Sequence, residues 1–236
     1  MADKIGIGIC TYNRANLLKF MITNVLKFAP KKAKIVIADD GSTDNTANVV
    51  KEFKKITYIS GPNEGQIRNK NRLLRKLSDC DHIFIVEDDL LFKHGNWAQL
   101  FIAANKASSI QHFTFSPPGL YGKCLAESKF GNIIIRHPEF DGGAFAYYSK
   151  EVLEKCGGYC PEFRGYGWGH CEYSERIWRS GLAGKYKNNF LGGTRVHMKL
   201  IRTEPVVPVT EREVDQLRNH KIWDRSIAES WVKCPL

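Results

Sequence analysis

Three consecutive carboxylates, Glu87, Asp88 and Asp89, directly follow an apolar and aromatic run at 83–86. A short continuous apolar run is typical of a β-strand that is buried on both faces. Three adjacent negative charges repel one another unless a cation lies among them, and Mg²⁺ and Mn²⁺ both prefer carboxylate oxygens. The pattern therefore predicts a divalent metal site at the end of a buried strand. The alternative is a strand followed by a solvated acidic turn.

The first half of the chain alternates between strand and helix patterns, which would position these acids. Strands are predicted at 4–10, 34–38, 56–59 and 82–86, and helices at 13–27, 43–53 and 65–77. This order predicts an α/β fold in which helices cover both faces of a mostly parallel sheet. Ligands of such sheets bind beyond the carboxyl ends of the strands, where Asp39, Asp40 and the three acids all fall.

The second half is less regular and predicts a smaller antiparallel part. Helices are expected at 97–107, 150–157 and 171–180, strands at 112–115 and 142–148, and a hairpin at 120–126 and 132–136. A further helix is expected at 211–223. We therefore expect one domain over 1–204, divided into halves at 1–90 and 91–204, and a C-terminal helical extension over 205–236.

The chain is basic, with a formal net charge of +10. A positive surface can attract nucleic acid, anionic lipid or a phosphorylated small molecule, whereas the alternative is a set of solvated helix faces. No arginine-rich run or nucleic-acid motif accompanies the charge, so no nucleic-acid partner is expected. No stretch approaches the roughly 18 apolar residues of a membrane-spanning helix, which leaves only peripheral membrane contact.

The seven cysteines are odd in number and scattered, which argues against a complete disulfide framework. Cys156 and Cys160 are the closest pair, and no second pair has zinc-finger spacing. Free thiols in a reducing compartment are therefore expected. The first residues also lack the long apolar stretch of a secretory signal. Together these patterns predict a cytoplasmic protein.

Polar residues follow the first two predicted strands. The turn at 10–14, which contains Cys10 and Thr11, can bring backbone groups and short side chains against a flat ligand. It is not a glycine-rich phosphate loop, because its nearest glycines lie inside the strand. After the second strand, Asp39 and Asp40 can accept hydrogen bonds from a nucleobase or a ribose hydroxyl. Capping of the next helix by Thr43 or Asp44 is compatible with that role.

The third predicted helix carries three cations near the acids. Arg68 is the preferred candidate for holding a diphosphate, because a guanidinium binds phosphate oxygens in a bidentate manner. For Lys70 and Arg72 a solvated basic helix face is the preferred interpretation.

Two further patterns lie near the end of the main domain. A loop of glycines and aromatics at 165–169 leads to Glu172, which a helix dipole would keep ionised and which would suit a general base. The competing interpretation is a surface ion pair between Glu172 and Arg176, four residues later. His197 follows two glycines. A lone histidine is usually structural, but this one could complete a metal shell.

Taken in order, these segments resemble the family 2-like glycosyltransferases of GT-A fold, from Ile5 to about His197. The resembling residues are Cys-Thr-Tyr-Asn-Arg at 10–14, Asp-Asp-Gly-Ser-Thr-Asp at 39–44, Asn-Glu-Gly at 63–65 with Arg-Asn at 68–69, and Glu-Asp-Asp at 87–89. The last of these is similar to the family's metal-binding DxD motif. Gly-Gly-Ala-Phe-Ala at 142–146 and Gly-Trp-Gly at 167–169 are similar to motifs of galactosyl- and N-acetylgalactosaminyl-transferases.

The resemblance implies a metal-dependent transfer of sugar from a nucleoside-diphosphate sugar, most often a UDP-sugar, to a hydroxyl acceptor such as a saccharide. It implies that 1–90 is the nucleotide-binding half and 91–204 the acceptor half. Its expected nucleotide-binding residues are Cys10, Thr11, Asn13, Arg14, Asp40, Arg68 and Asp88. Its expected ligands for Mn²⁺ or Mg²⁺ are Asp89, Glu87 and His197, and its expected sugar or acceptor contacts are Gly142, Gly143 and Trp168.

The chain departs from the family pattern in two places. The family usually has Glu-Asp soon after Trp-Gly, whereas this chain has His170, Cys171 and Glu172. Either Glu172 or His170 is therefore the expected catalytic base, and inversion is the favoured outcome. The acidic motif also begins with Glu87 instead of aspartate.

Two other hypotheses remain. A sugar nucleotidyltransferase also uses acids at strand ends and a metal, but the glycine- and arginine-rich loop usual in such enzymes is missing from 10–14. A non-catalytic carbohydrate- or nucleotide-binding module on the same fold would tolerate the irregular segment at 170–172.

Overall fold

The computed structural model describes residues 3–115, 122–140, 142–201 and 209–236. The strands are β1 Ile5–Thr11, β2 Lys34–Asp39, β3 Thr57–Ser60, β4 His82–Glu87, β5 Leu90–Phe92, β6 His112–Phe115, β7 Cys124–Phe130, β8 Ile133–Pro138, β9 Phe145–Ser149, β10 Phe190–Leu191 and β11 Met198–Leu200. The helices are α1 Ala15–Phe28, α2 Thr46–Lys51, α3 Gln66–Lys76, α4 Trp97–Ser108, α5 Lys150–Cys156, α6 Gly169–Arg179, α7 Thr194–His197 and α8 Val209–Ala228.

Nine strands form one sheet in the order β3-β2-β1-β4-β9-β6-β10-β8-β7. The first four of these are parallel, because each is followed by a helix that returns the chain to the same end. β9 then pairs antiparallel with β4 and β6, and β8 pairs antiparallel with β10 and β7. A separate ribbon joins β5 and β11. The predicted α/β fold with a smaller antiparallel part is confirmed.

The side chains of β1 explain why helices cover both faces of the sheet. Ile7 and Ile9 enter the core on the side of α1, α2 and α4. Gly6 and Gly8 face the other side, where a Cβ on Gly8 would lie 3.1 Å from a carbon of Leu73 on α3. The two glycines therefore let α3 approach the sheet closely. β4 is buried on both faces, as its apolar run predicts.

Several predicted boundaries shift. α2 begins at Thr46 and is shorter than expected, and the Asp44 carboxylate accepts hydrogen bonds from the Thr46 backbone and hydroxyl. The strand predicted from Gly142 begins at Phe145, and the C-terminal helix runs over 209–228 instead of 211–223. Residues 120–121 of the predicted hairpin and residues 202–208 lie outside the described residues.

Every cysteine has a free thiol, and Cys124 is the exposed one. In the part of the chain that the structure describes, no helix combines the length and the apolar character needed to cross a membrane.

Candidate active site

The predicted polar residues lie along one edge of the sheet. Parallel pairing places Cys10 of β1 beside Ala38 of β2 and beside Glu87 of β4. The residues that follow these three positions therefore leave the sheet side by side.

Asp88 is buried among the groups that end β1. Its carboxylate accepts a hydrogen bond from the Thr11 hydroxyl at 2.8 Å and one from the Arg14 guanidinium at 2.9 Å. Arg14 also lies 3.4 Å from Asp89. Burial raises the pKa of Asp88, and the charge of Arg14 opposes that shift. The middle acid is therefore neutralised by the protein itself.

Asp89 is the acid that the protein compensates least, since Arg14 reaches only its Oδ2 atom, at 3.4 Å. Its Oδ1 atom is buried and has no hydrogen-bond partner among the described residues. Burial, followed by the charges of Glu87 and Asp88, raises the pKa of Asp89 to about 6. An inward carboxylate oxygen without a donor fits a divalent cation. Mg²⁺ in particular is often held by one or two carboxylates together with substrate phosphates.

Glu87 is balanced by a buried lysine. It accepts hydrogen bonds from Gln66 and from Lys70, whose Nζ lies 3.3 Å away. The same Nζ donates to the carbonyl of Gly143 at 2.9 Å. Burial alone would lower the pKa of Lys70, but the charge of Glu87 holds it above its usual value. The prediction that Lys70 belongs to a solvated face is wrong, since its side chain is 1% exposed.

Asp40 is occupied by the loop that precedes α3. It accepts hydrogen bonds from the backbone amides of Glu64 at 3.1 Å and Gly65 at 2.8 Å. Arg72 donates to it at 3.1 Å, so the solvated position predicted for Arg72 is also wrong. This carboxylate therefore orders the loop that leads into α3.

Asn13 ties the turn after β1 to the turn after β2. Its backbone amide donates to the Ser42 hydroxyl at 2.8 Å, and its side-chain oxygen accepts from the Thr43 amide at 2.8 Å. Cys10 lies buried below this turn, where burial raises its pKa to about 12. The Cys10 thiol is therefore neutral.

Arg68 lines a cavity of about 320 Å³ with Asn63, Glu64, Gly65, Arg164 and Gly165. Its guanidinium donates to Glu64 at 2.8 Å and, more weakly, to the Pro161 carbonyl at 3.4 Å. The cavity is thus bounded by the start of α3 on one side and by the loop before α6 on the other.

His170 lies against the glycine pair that precedes β9. A Cβ on Gly143 would be 3.2 Å from the His170 Nδ1, so the ring covers this glycine closely. Gly142 is half-buried beside it. The Gly143 carbonyl also accepts the hydrogen bond from Lys70, and Lys70 pairs with Glu87 at the end of β4. His170 is therefore linked to Glu87 through Gly143 and Lys70.

Glu172 is sequestered in the interior. Its two oxygens accept hydrogen bonds from Arg176 at 2.6 and 2.8 Å, and both side chains are at most 2% exposed. Arg176 also donates to the carbonyls of Cys156 and Gly158. The ion pair weighed as an alternative for Glu172 exists, but in the core instead of at the surface. A carboxylate held in this way does not face an acceptor.

His197 lies at one end of the β5–β11 ribbon, and its buried Nδ1 atom has no hydrogen-bond partner among the described residues. In the β5–β11 ribbon its carbonyl accepts from the Lys93 amide, whereas the Asp89 carbonyl accepts from the Ile201 amide. The three residues of β5 lie between these two positions, so the backbones are at most about 13 Å apart along the ribbon at roughly 3.3 Å per residue. Within the described residues no three His, Cys, Asp or Glu side chains form a group that could hold a metal. His197, Asp89 and Glu87 therefore do not form such a group in the described part of the chain, and His197 stays a predicted ligand.

Trp168 is half-buried in the loop before α6, with its ring against His220 and Trp223 of α8. Sequence analysis missed this contact and the role of Lys70. The latter was visible in the spacing, because Lys70 lies three residues after Ile67 and four before Leu74, on the buried face of α3.

Comparison with known proteins adds the following. The profile of Glycosyl transferase family 2 matches residues 7–157. An uncharacterized glycosyltransferase of Acanthamoeba polyphaga mimivirus is 24% identical over 193 residues, which are 76% of this chain and 75% of that protein. The mannosyltransferase PcManGT from Pyrobaculum calidifontis, solved with GDP-Man and Mn²⁺, has a TM-score of 0.61 at 16% identity, covering 78% of this chain and 54% of its own. A GalNAc transferase solved with UDP, GalNAc and Mn²⁺ has a TM-score of 0.63 at 15% identity, covering 80% and 42%. This chain thus spans about half the length of these two solved chains.

Proposed function

Because this chain belongs to glycosyl transferase family 2 and has the GT-A fold, we propose that it transfers a sugar from a UDP-sugar to a hydroxyl group of a saccharide acceptor. One observation carries the proposal. At the carboxyl edge of the sheet, Asp88 and Glu87 are neutralised by Arg14 and Lys70, whereas one buried oxygen of Asp89 receives no hydrogen bond from any residue that the structure describes.

We propose that Asp89 binds Mn²⁺ or Mg²⁺ and that Glu87 lies beside the ion. When bound, the ion supplies Lewis-acid stabilisation of the negative charge on a departing diphosphate. Arg14 bridges Asp88 and Asp89, so it fixes the orientation of both carboxylates. His197 is not among the ligands we propose, because among the described residues it forms no three-residue group with Asp89 and Glu87.

The nucleotide would occupy the edge formed by the turns after β1 and β2 and by the start of α3. Thr11 and Asn13 are held in place by Asp88 and Ser42, which makes this surface rigid before a ligand binds. Arg68 lines the adjacent cavity and can exchange its contact with Glu64 for one with an anionic donor.

For the base that removes the acceptor proton we propose His170 in preference to Glu172. His170 covers Gly143 at the proposed sugar side, whereas Glu172 is saturated by Arg176. An imidazole at this place suits direct displacement by the acceptor, which inverts the anomeric centre.

A screen of nucleotide sugars for metal-dependent hydrolysis and transfer tests the proposal, with anomeric configuration read by NMR. His170→Asn is expected to lower kcat by about a hundredfold or more while UDP affinity is retained. His94→Asn, which changes an exposed histidine near His197, is the matched control. Equal rates for wild type and His170→Asn would remove the assigned base.

The same preparation separates the rival hypotheses. Release of pyrophosphate from a nucleoside triphosphate and a sugar phosphate would indicate a nucleotidyltransferase. UDP binding without hydrolysis or transfer of any donor would indicate a binding module.

A further inference from the structure

The loop at 164–167 is held by one side chain of the C-terminal helix. Asn219 of α8 is 1% exposed. Its Nδ2 lies within hydrogen-bonding distance of the carbonyls of Arg164, Tyr166 and Gly167, at 2.8, 3.0 and 3.1 Å. Its Oδ1 accepts from the Arg164 amide at 3.3 Å. The side-chain amide of Asn219 therefore uses both its donor and its acceptor groups on the backbone of the 164–167 loop.

Neighbours of Asn219 on the same helix face strengthen the attachment. Asp215 accepts a hydrogen bond from the Tyr166 amide at 2.9 Å, and Arg218 donates to the Arg164 carbonyl at 2.5 Å. Asp215 lies three residues before Arg218 and four before Asn219, so its side chain projects beside both of them on α8.

The loop needs this support because its backbone is unusual. Gly165, Gly167 and Trp168 have φ angles of 63°, 91° and 66°. A bulky residue such as Trp168 rarely adopts a positive φ unless its surroundings impose it. A Cβ on Gly165 would overlap the Asp215 carboxylate, so only glycine allows α8 to approach here.

The held loop also borders the candidate site. Arg164 and Gly165 form one wall of the cavity that Arg68 lines, and a Cβ on Gly65 would lie 2.9 Å from the Gly165 amide. His170, which covers Gly143, lies three residues past the other end of the loop. The conformation of residues 164–167 thus sets both the cavity wall and the start of α6.

We propose that Asn219 is a positioning residue for the transfer reaction, holding the 164–167 loop so that the cavity wall and His170 are correctly placed. The effect on turnover rests on the proposed function, whereas the effect on the loop does not. α8 is then part of the active-site architecture, although it lies outside the segment that matches the family.

The test compares two buried asparagines of equal chemistry. Asn189, also 1% exposed, has an Nδ2 within reach of the carbonyls of Ala183, Tyr186 and Lys187, so it organises a loop that contains no candidate site residue. We expect Asn219→Ala to lower kcat for transfer by about a hundredfold, the penalty typical of a misplaced catalytic group. UDP affinity should change by no more than about threefold. Asn189→Ala should lose similar thermal stability and keep its kcat.

Wild-type kcat in folded Asn219→Ala, or equal losses in both variants, would overturn the proposal. If Asn219→Ala does not fold, Asp215→Ala removes the adjacent anchor and must show the same selective loss.

Hydrogen exchange of the amides at 164–168 gives a readout that needs no substrate. We expect exchange there to be at least about tenfold faster in Asn219→Ala, with β4 unchanged. Unchanged loop exchange contradicts the proposal whether or not transfer is detected. A loosened loop in a protein whose wild type transfers nothing supports the loop assignment and refutes only the proposed function.

Discussion

Replacing Asp89 with asparagine is expected to stabilise the metal-free protein. The folded state raises the pKa of this carboxyl from 3.8 to about 6, which corresponds to about 3 kcal/mol at about 1.36 kcal/mol per tenfold change. For an acid with a raised pKa, the unfolded chain releases the proton more readily than the folded protein does. The ionised Asp89 carboxylate therefore destabilises the folded state by this full amount above pH 6. Asp89→Asn removes that charge and leaves Arg14 with its closer partner, Asp88.

The assay is thermal unfolding in EDTA at several pH values. For a chain of this size about 3 kcal/mol is a rise in Tm of about 6–12 °C at pH 7.5. The gain should shrink below pH 6 and be largely lost by pH 4, where Asp89 is protonated in the folded protein and about half protonated in the unfolded chain.

Asp44→Asn is a control for which the change in Tm should have the opposite sign. Burial alone would raise the pKa of Asp44, but hydrogen bonds from Thr46 and Ala15 hold it below its usual value. The same substitution there should lower Tm. A lower or unchanged Tm for Asp89→Asn at pH 7.5, or a gain that persists at pH 4, would refute the reasoning.

Three further predictions concern buried groups. Lys70→Met leaves Glu87 without its cation and should lower the free energy of unfolding in urea by about 2 kcal/mol. This is less than the loss expected for a fully buried pair, because Glu87 is 26% exposed. An unchanged urea midpoint would contradict the ion pair. Glu172→Gln should lower stability by about 3 kcal/mol, since Arg176 loses its counter-charge; normal stability with turnover alone lost would restore Glu172 as the base. Iodoacetamide should label Cys124 in the native protein, with mass spectrometry showing Cys10 unlabelled until unfolding; fast native labelling of Cys10 would argue against its burial.

The sequence predicted the sheet and the gathering of polar residues at one of its edges, because both depend on local patterns. The apolar run at 82–86, the alternation of strands and helices, and the acids at strand ends all follow from short-range composition. Parallel pairing then places those ends together in any such fold. The proximity of Thr11, Arg14 and Asp88 follows from that topology.

The details that failed depend on long-range packing. Which of the three acids keeps a free oxygen is decided by Arg14 and Lys70, which reach them from other elements. The register of the β5–β11 ribbon, which sets where His197 lies along the chain from Asp89, is not encoded in the spacing of either segment. Glu172 and Arg176 have the spacing of a surface pair, and only the packing of α6 shows that they are buried. The contact between Asn219 and the 164–167 loop spans more than fifty residues.

The central claim is that Asp89 holds a metal ion that in turn holds the diphosphate of the donor. Calorimetric titration of UDP with and without Mn²⁺, in wild type and in Asp89→Ala, tests it most directly. We expect Mn²⁺ to increase the affinity of wild type for UDP by about tenfold or more and to leave the variant unchanged. Equal UDP affinity with and without Mn²⁺ in wild type, or an increase that Asp89→Ala retains, would contradict the account.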